Sequence, residues 1–220
     1  MAGWKAHIQA LRTDRQAWLL LGVFAVVQLF LLSKYGVVTT LEAEKYIREG
    51  GLLAQGNGLS ESRFIFYLPV ILLVAFCRLL HLPLAGVVLV QILVAGVALY
   101  TFYRTAQLLV SQKWALGVSL FLALCIPLQQ WNVYIYSDSL FISISIIFFS
   151  LLVRVANGQT YPVWLLPVMG ITWGLARPAG ILFIVPLFVL LFMLNKQNRW
   201  YVAGGFAGLL LVLFAASYYF

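Results

Sequence analysis

The chain has 220 residues, of which 64% are hydrophobic and 9% are charged, against about 25% charged residues in a soluble domain. Its apolar residues form continuous runs long enough to cross a bilayer, which excludes both a soluble protein and the alternating strands of a membrane β-barrel. The net charge of +8 does not indicate a nucleic-acid partner, because basic residues mark the cytoplasmic ends of membrane spans.

The sequence therefore predicts an all-α polytopic membrane protein with one membrane domain, residues 1–220. A basic segment, residues 1–16, is its cytoplasmic N-terminus. The apolar run that follows has no clear small-residue cleavage site, so we interpret it as a retained anchor and not as a signal peptide. With this orientation, residues 38–83 form an external loop that holds juxtamembrane helices. Residues 84–220 form a helical bundle.

Eight apolar segments follow one another along the chain, and the basic residues indicate how many of them cross. If all eight crossed, nearly every basic connection would lie outside, against the preference of Lys and Arg for the cytoplasm. If the segment 64–82 does not cross, Arg104, Arg154 and Lys196 become cytoplasmic. We therefore predict that 64–82 lies along the outer interface as a non-crossing helix. The seven predicted spans are 17–37, 84–103, 114–133, 138–154, 160–177, 179–195 and 200–220.

The external loop contains the stretch LEAEKYIREGG, residues 41–51, which holds three of the six acidic residues. On a helix, the spacing of three and four places Glu42, Lys45, Tyr46 and Glu49 on one face. Glu44 and Arg48 point elsewhere. The alternative interpretation is a solvated surface helix with an ion pair or two. In the predicted topology nearly all carboxylates of the chain lie outside, which favours a functional role for this face.

Two further polar residues lie at predicted outer ends of spans. The motif YSDSL, residues 136–140, puts Asp138 at the start of one span, and GLARPAG, residues 174–180, puts Arg177 in a tight turn. A helix N-cap would also explain Asp138, and interfacial snorkelling would also explain Arg177. Arginine is suited to bind a phosphate, and a carboxylate is suited to act as a general base or to bind a metal. The combination fits a reaction on a lipid phosphate.

Four motifs in a fixed order give the chain a resemblance to a known family. They are EAEKY in the external loop, SRFIFYLPVILLVAF across residues 62–76, YSDSL and GLARPAG. In these motifs the chain resembles the polyprenol-phosphate-sugar-dependent glycosyltransferases of the GT-C superfold, which include protein mannosyltransferases and lipid A aminoarabinose transferases. The resemblance covers residues 15–195. The chain differs from the family in having Glu where the first acidic residue is mostly Asp, and in its shorter length.

The resemblance implies an inverting transfer of a sugar from a polyprenyl-phosphate donor to an acceptor on the external face of a bacterial inner membrane. Glu42 takes the place of the family's catalytic Asp, with Glu44 as the neighbouring candidate. Asp138 takes the second acidic position. If the reaction uses a divalent cation, Mg²⁺ or Mn²⁺, the resemblance implies that Glu42 and Asp138 hold it.

The same resemblance implies the substrate-binding residues. Arg177 would contact the donor phosphate and Arg63 would assist it, while Tyr46 and Tyr67 would line the cavity. The expected partners are membrane lipid, the lipid-linked sugar and further proteins of a larger complex. Two other functions stay open: a catalytically inactive GT-C-like assembly subunit, and a lipid or solute transporter. Transporters place ionisable groups near the membrane midplane, whereas here they lie at the rim.

Overall fold

A computed structural model of the chain gives the fold. The residues that it describes are 14–40, 42–159, 161–162, 164–180, 200, 204, 207–208 and 211. Within these residues the secondary structure is helical, apart from one isolated parallel bridge between Val38 and Tyr134. The predicted all-α class is confirmed.

Eight α-helices and two 3-10 turns make up the described part of the chain. The α-helices are α1 (Arg15–Tyr35), α2 (Glu42–Ala54), α3 (Leu68–Leu79), α4 (Ala85–Ala106), α5 (Gln112–Leu124), α6 (Ile126–Gln129), α7 (Ser137–Ala156) and α8 (Leu165–Ala176). The 3-10 turns are Ser62–Tyr67, which leads directly into α3, and Gln130–Val133, which follows α6. The chain bends by 61° between α5 and α6. Pro127 explains the bend, because it lacks the N–H of a continuous helix.

Several of these helices are long and apolar enough to cross a membrane, which supports the predicted membrane protein. Four segments qualify among the described residues: Arg15–Tyr35, Ser62–Leu79, Ala85–Ala106 and Ser137–Ala156. A fifth qualifies if the bent pair Gln112–Leu124 and Ile126–Val133 is one span. By length and composition alone, the segment predicted not to cross therefore meets the same criteria as the other candidate spans.

The predicted count of seven spans is not supported. The predicted span 160–177 corresponds to α8, whose 12 residues extend about 18 Å, less than the roughly 30 Å of a hydrocarbon core. The predicted span 179–195 lies outside the described residues beyond its first two positions, and 200–220 is described only at isolated positions.

One end of the bundle, here called the Asp14 end, gathers the start of α1 and the last turns of α4 and α7. Asp14 caps α1 by accepting hydrogen bonds from the N–H groups of Gln16 and Ala17, each at 3.1 Å. Arg104, near the end of α4, lies 3.5 Å from the Asp14 carboxylate. Arg154, near the end of α7, donates to the Thr105 hydroxyl at 2.8 Å. Helix α1 therefore runs antiparallel to α4 and α7.

The opposite end, here called the Val38 end, gathers the end of α1 and the beginnings of α4 and α7. The Val38 N–H donates to Val133 O at 3.0 Å, and the Ile135 N–H donates to Val38 O at 3.2 Å. Gln91, in the second turn of α4, donates its side-chain amide to Tyr134 O at 3.1 Å. Helix α2, which follows the end of α1, also lies at this end of the molecule.

Helices α2 and α3 form a tight pair at the Val38 end. A Cβ at Gly50 would lie only 2.5 Å from Val74 Cγ1, so the absence of a side chain there lets the two backbones approach. One turn earlier on α2, the Tyr46 ring lies 5.3 Å from the Tyr67 ring. Tyr46 precedes Gly50 on α2, and their partners Tyr67 and Val74 follow each other in the same order, so α2 and α3 run parallel, side by side. Their inner faces join the main hydrophobic core with α7 and α8.

Candidate functional site at the Val38 end

Two residues from motifs far apart in the sequence form an ion pair at the Val38 end. Asp138 lies in the first turn of α7, and Arg177 directly follows the last residue of α8. The Arg177 Nη1 contacts Asp138 Oδ1. The Asp138 side chain is 17% exposed and that of Arg177 is 43% exposed, so the arginine stays accessible. The N-cap interpretation of Asp138 is wrong, because the cap position of α7 is Tyr136.

Tyr46 of α2 links this ion pair to the predicted catalytic glutamate. Its side chain is 2% exposed, and its hydroxyl lies 3.5 Å from Glu42 Oε2 and hydrogen bonds to the Ser137 side chain. Burial raises the pKa of the Tyr46 phenol; the Ser137 hydrogen bond opposes this shift, and the neighbouring Tyr67, Glu42 and Asp138 add to it. Tyr46 is therefore a neutral hydroxyl that senses the charge of two carboxylates, Glu42 and Asp138.

Lys45 belongs to the same cluster, although the resemblance did not assign it a role. Its ammonium forms an ion pair with Glu42, three residues earlier on α2. The same ammonium lies 5.3 Å from the centroid of the Tyr46 ring and 5.4 Å from that of Tyr67. Cations are attracted to aromatic faces at such distances. The Glu42 side chain is still 54% exposed, so a second molecule can reach its carboxylate.

Two predicted site residues lie away from this cluster. Glu44 is exposed on the opposite face of α2, because two residues on a helix turn the side chain by about 200°. The Arg63 side chain is 70% exposed and pairs with Glu61 at 2.7 Å. Its guanidinium lies 5.4 Å from the Phe64 ring centroid. The structure thus brings together Glu42, Tyr46, Tyr67, Asp138 and Arg177, and it leaves Glu44 and Arg63 outside.

Glu49 is a fully buried carboxylate for which the sequence motifs predict no role. It accepts hydrogen bonds from the Ser60 N–H at 2.8 Å, the Ser60 hydroxyl at 2.6 Å and the Arg48 guanidinium at 3.0 Å. Burial opposes ionisation, but these hydrogen bonds outweigh it and hold the pKa of Glu49 below its usual value. The i, i+3 relation to Tyr46 placed Glu49 near the cluster face. Its partner Ser60, 11 residues away across a loop, had no sequence signal.

A chain of side-chain hydrogen bonds connects the first turn of α7 to α1. The Ser139 hydroxyl donates to Asn132 Oδ1 at 2.7 Å, and the Asn132 amide donates to Gln129 Oε1 at 3.1 Å. Gln28 of α1 donates to the same Gln129 oxygen at 3.0 Å. These polar groups connect α1, α6, the 3-10 turn that follows α6, and α7, as expected for helix packing in a membrane. They fix the position of the turn that carries Asp138.

The cluster does not fit a site for Mg²⁺ or Mn²⁺. Glu42 and Asp138 each already hold a cationic side chain, Lys45 and Arg177 respectively. No group of three or more His, Cys, Asp or Glu side chains suited to a metal ion occurs in the part of the chain that the structure describes. Mg²⁺ demands near-octahedral oxygen coordination and is repelled by neighbouring cations. We therefore derive no catalytic step through a metal.

Comparison with known protein families, with curated proteins and with solved structures gives no match. The GT-C resemblance in four motifs stays a prediction for this reason. The ground for a functional proposal is the geometry of the cluster, which joins side chains from α2, the 3-10 turn before α3, the start of α7 and the end of α8.

Proposed function

We propose that the chain is a membrane glycosyltransferase that moves a sugar from a polyprenyl-phosphate donor to an acceptor at the Val38 end. The observation that carries the proposal is the cluster itself. The buried Tyr46 hydroxyl lies beside the accessible carboxylate of Glu42 and hydrogen bonds to Ser137. The next residue, Asp138, pairs with the accessible guanidinium of Arg177. A base for the acceptor and a cation for the phosphate are the two groups that such a transfer needs.

The course of the chain supports placing the whole cluster on one side of the membrane. Helix α1 reaches the Val38 end and α4 leaves from it, so the segment between them begins and ends on the same side. A single crossing by Ser62–Leu79 would put the start of α4 at the other end. Helix α3 also runs beside α2. Because α2 exposes the charged side chains of Glu44 and Arg48, it is too polar to lie in the hydrocarbon core of the bilayer. We infer that α2 and α3 lie together in the interface.

The charges support the orientation of the bundle. Arg104 and Arg154 lie at the Asp14 end, which is then the cytoplasmic side, and the candidate site faces outward from a bacterial inner membrane. Cysteine labelling with an impermeant maleimide tests this in cells, with the native cysteines replaced. We expect Gln55→Cys to react from outside and Gln112→Cys only after permeabilisation. The reverse pattern contradicts the orientation.

In the proposed reaction, Glu42 accepts the proton of an acceptor hydroxyl. The acceptor oxygen forms a bond to the anomeric carbon on the face opposite the phosphate, and the bond between that carbon and the phosphate oxygen breaks. Its electron pair leaves with the polyprenyl phosphate, so the configuration inverts. Arg177 lies where it can stabilise the charge that develops on this leaving group. The Tyr46 hydroxyl, kept neutral by its raised pKa, holds the Glu42 carboxylate in place.

The proposal is tested with purified protein in vesicles that contain labelled polyprenyl-phosphate hexoses or pentoses, with isolated envelope lipids as acceptor. Release of polyprenyl phosphate measures the transfer. We expect Glu42→Gln to lower the rate by 10²- to 10⁴-fold, the usual contribution of a general base. Asp138→Asn should also lower it strongly, because Arg177 loses its ionic partner. Glu44→Gln is the matched control on the other face of α2. Equal rates for the wild type, Glu42→Gln and Asp138→Asn would refute the assignment.

One observation favours a second candidate, an inactive assembly subunit. Both carboxylates of the cluster are already neutralised by protein cations: Glu42 pairs with Lys45 within α2, and Asp138 pairs with Arg177, which joins the start of α7 to the end of α8. In this candidate the ion pairs serve only to stabilise the structure. This candidate predicts that the wild type neither consumes nor binds the donor, while Asp138→Asn still lowers the melting temperature. For a transporter the described spans offer no specific support. Their ionisable residues lie at the helix ends, and interior Gln28 and Gln91 hydrogen bond to neighbouring helices or loops.

A further inference from the structure

A second concave surface lies on the opposite side of α2 from the candidate site. It is an open groove of about 1010 Å³ between α2, the end of α3 and the connection to α4. Its polar lining residues include Glu44, Arg48, Gln55, Arg78 and His81. Successive helical residues turn by about 100°, so Glu44 and Arg48 point away from the face that carries Glu42 and Tyr46. The groove and the cluster are therefore separate sites that share one helix.

The groove carries charges of both signs that lack partners. The side chains of Glu44, Arg78 and His81 make no hydrogen bond or ion pair with any residue that the structure describes, and all three residues are exposed. Arg48 pairs with the buried Glu49 through Nε and Nη2, and its side chain is still 61% exposed. The groove therefore offers two guanidinium groups and an imidazole together with one free carboxylate. This pattern complements a zwitterion and not a simple anion.

The groove lies at the boundary of the membrane. Its lining includes Thr39, four residues beyond the end of α1, and Leu84, the residue before α4. Both helices are candidate spans, so their ends mark headgroup depth. Leu79, Leu80 and Leu82 are exposed by 61%, 52% and 46% and continue the groove with an apolar surface. A ligand with a polar head and hydrocarbon chains matches this arrangement.

The backbone at His81 gives an independent indication of a function. His81 follows the C-cap of α3 with a positive φ of 53°, and the Leu82 N–H donates to Cys77 O at 2.8 Å while the His81 N–H donates to Arg78 O at 3.1 Å. This is a Schellman motif, in which glycine is the residue usually found at that position. A histidine there is strained, and such strain is found where a side chain is needed for binding.

We propose that this groove binds the headgroup of a phosphatidylethanolamine molecule. Arg78, Arg48 and His81 contact the phosphate, and Glu44 accepts a hydrogen bond from the primary ammonium. The acyl chains lie along the exposed leucines at the end of α3. The proposal rests on the membrane position of the Val38 end and does not depend on the transferase activity. A bound lipid at this place stabilises the pair α2–α3 on the membrane surface.

The test is native mass spectrometry of the purified full chain with three lipids of identical acyl chains. Phosphatidylcholine keeps the phosphate but its quaternary ammonium has no N–H, and phosphatidylglycerol has no ammonium at all. We expect phosphatidylethanolamine to bind about tenfold more tightly than either, the factor that corresponds to one hydrogen bond between charged groups. Its N-monomethyl and N,N-dimethyl forms, which need no protein variant, should bind with intermediate affinities.

Variants assign the contacts. Glu44→Gln should remove the preference for phosphatidylethanolamine, and Arg78→Gln should weaken all three lipids about tenfold. Glu61→Gln is the control, since this exposed carboxylate lies outside the groove and pairs with Arg63. Equal affinities of the wild type for phosphatidylethanolamine and phosphatidylcholine overturn the proposal. Tighter binding of phosphatidylglycerol also overturns it, in favour of an anion site, and so does a preference that survives Glu44→Gln.

Discussion

Glu49→Gln tests whether one buried carboxylate holds α2 against the loop that precedes α3. Oxygen Oε2 accepts the Ser60 N–H at 2.8 Å, and Oε1 accepts the Ser60 hydroxyl at 2.6 Å and the Arg48 Nη2 at 3.0 Å. A glutamine keeps only one acceptor oxygen, and its NH₂ group has to face one of these donors. We expect the loss of at least one charge-assisted hydrogen bond, which costs about 1.5–3 kcal/mol of local stability.

Amide hydrogen exchange measures this loss where it occurs. We expect protection of the Ser60 amide and of the last turn of α2 to fall by about 10- to 100-fold in Glu49→Gln, following the factor of ten per 1.4 kcal/mol. Ser60→Ala is the matched variant that removes only the hydroxyl, and it should lose less. Cluster residues at the other end of α2, such as Glu42, should stay in place. Unchanged protection in Glu49→Gln would refute the argument.

The pH dependence gives the same prediction a second readout. The folded-state pKa of Glu49 lies below its usual value of 4.5, so its contribution to stability is fully present above that value. It is lost as the pH falls below 4.5 through the folded-state pKa. We expect protection of the Ser60 amide to decline in this acid range in the wild type, after correction for intrinsic exchange. In Glu49→Gln the decline should be absent. A parallel decline in both proteins contradicts the role of Glu49.

Three further substitutions test the packing and the strain beside the two sites by thermal unfolding in one detergent. Gly50→Ala should destabilise the protein by about 1–3 kcal/mol, because the new Cβ would lie 2.5 Å from Val74 Cγ1. Gly51→Ala, with no atom within 4 Å, should instead stabilise α2 by about 0.5–1 kcal/mol, and equal effects would argue against the close helix contact. His81→Gly should raise stability by about 0.5–1 kcal/mol through relief of the left-handed backbone, yet weaken phospholipid binding. A loss of stability would contradict the strain.

The all-α fold class and the placement of Asp138 and Arg177 on one side of the molecule could both be predicted from the sequence, for the same reason. Hydropathy identifies apolar helices without knowledge of tertiary contacts. Once the basic residues orient those helices, the ends of sequence-distant spans fall on known sides. Asp138 and Arg177 were therefore expected on one side of the membrane, and the structure pairs them directly. Hydropathy was less able to predict the number of spans. The apolar run 160–177 was long enough for a span, but the helix that it forms, α8, has only 12 residues.

Contacts made by loops were not accessible. The face of α2 that carries Glu42 and Tyr46 followed from helical spacing, but the burial of Glu49 depends on Ser60 folding back across the connection. Arg63 was predicted to assist at the phosphate, whereas it pairs with its neighbour Glu61. An ion pair between close neighbours in the chain costs almost no loop-closure entropy, so it competes with pairs between distant residues. The sequence alone does not show which of the two pairs forms.

The three glutamates of LEAEKYIREGG occupy three different environments, which explains why acidic residues are concentrated there. Glu42 faces the cluster with Tyr46, Glu44 faces the groove, and Glu49 is buried beneath the helix. In the proposed interfacial position of α2, each of these contacts has to be made by a different face of the same helix. Exchanging Glu42 and Glu44 for glutamine should then produce independent effects, on transfer and on lipid binding respectively. If either substitution changed sugar transfer and lipid binding equally, the two faces of α2 would belong to one site and not to two separate sites.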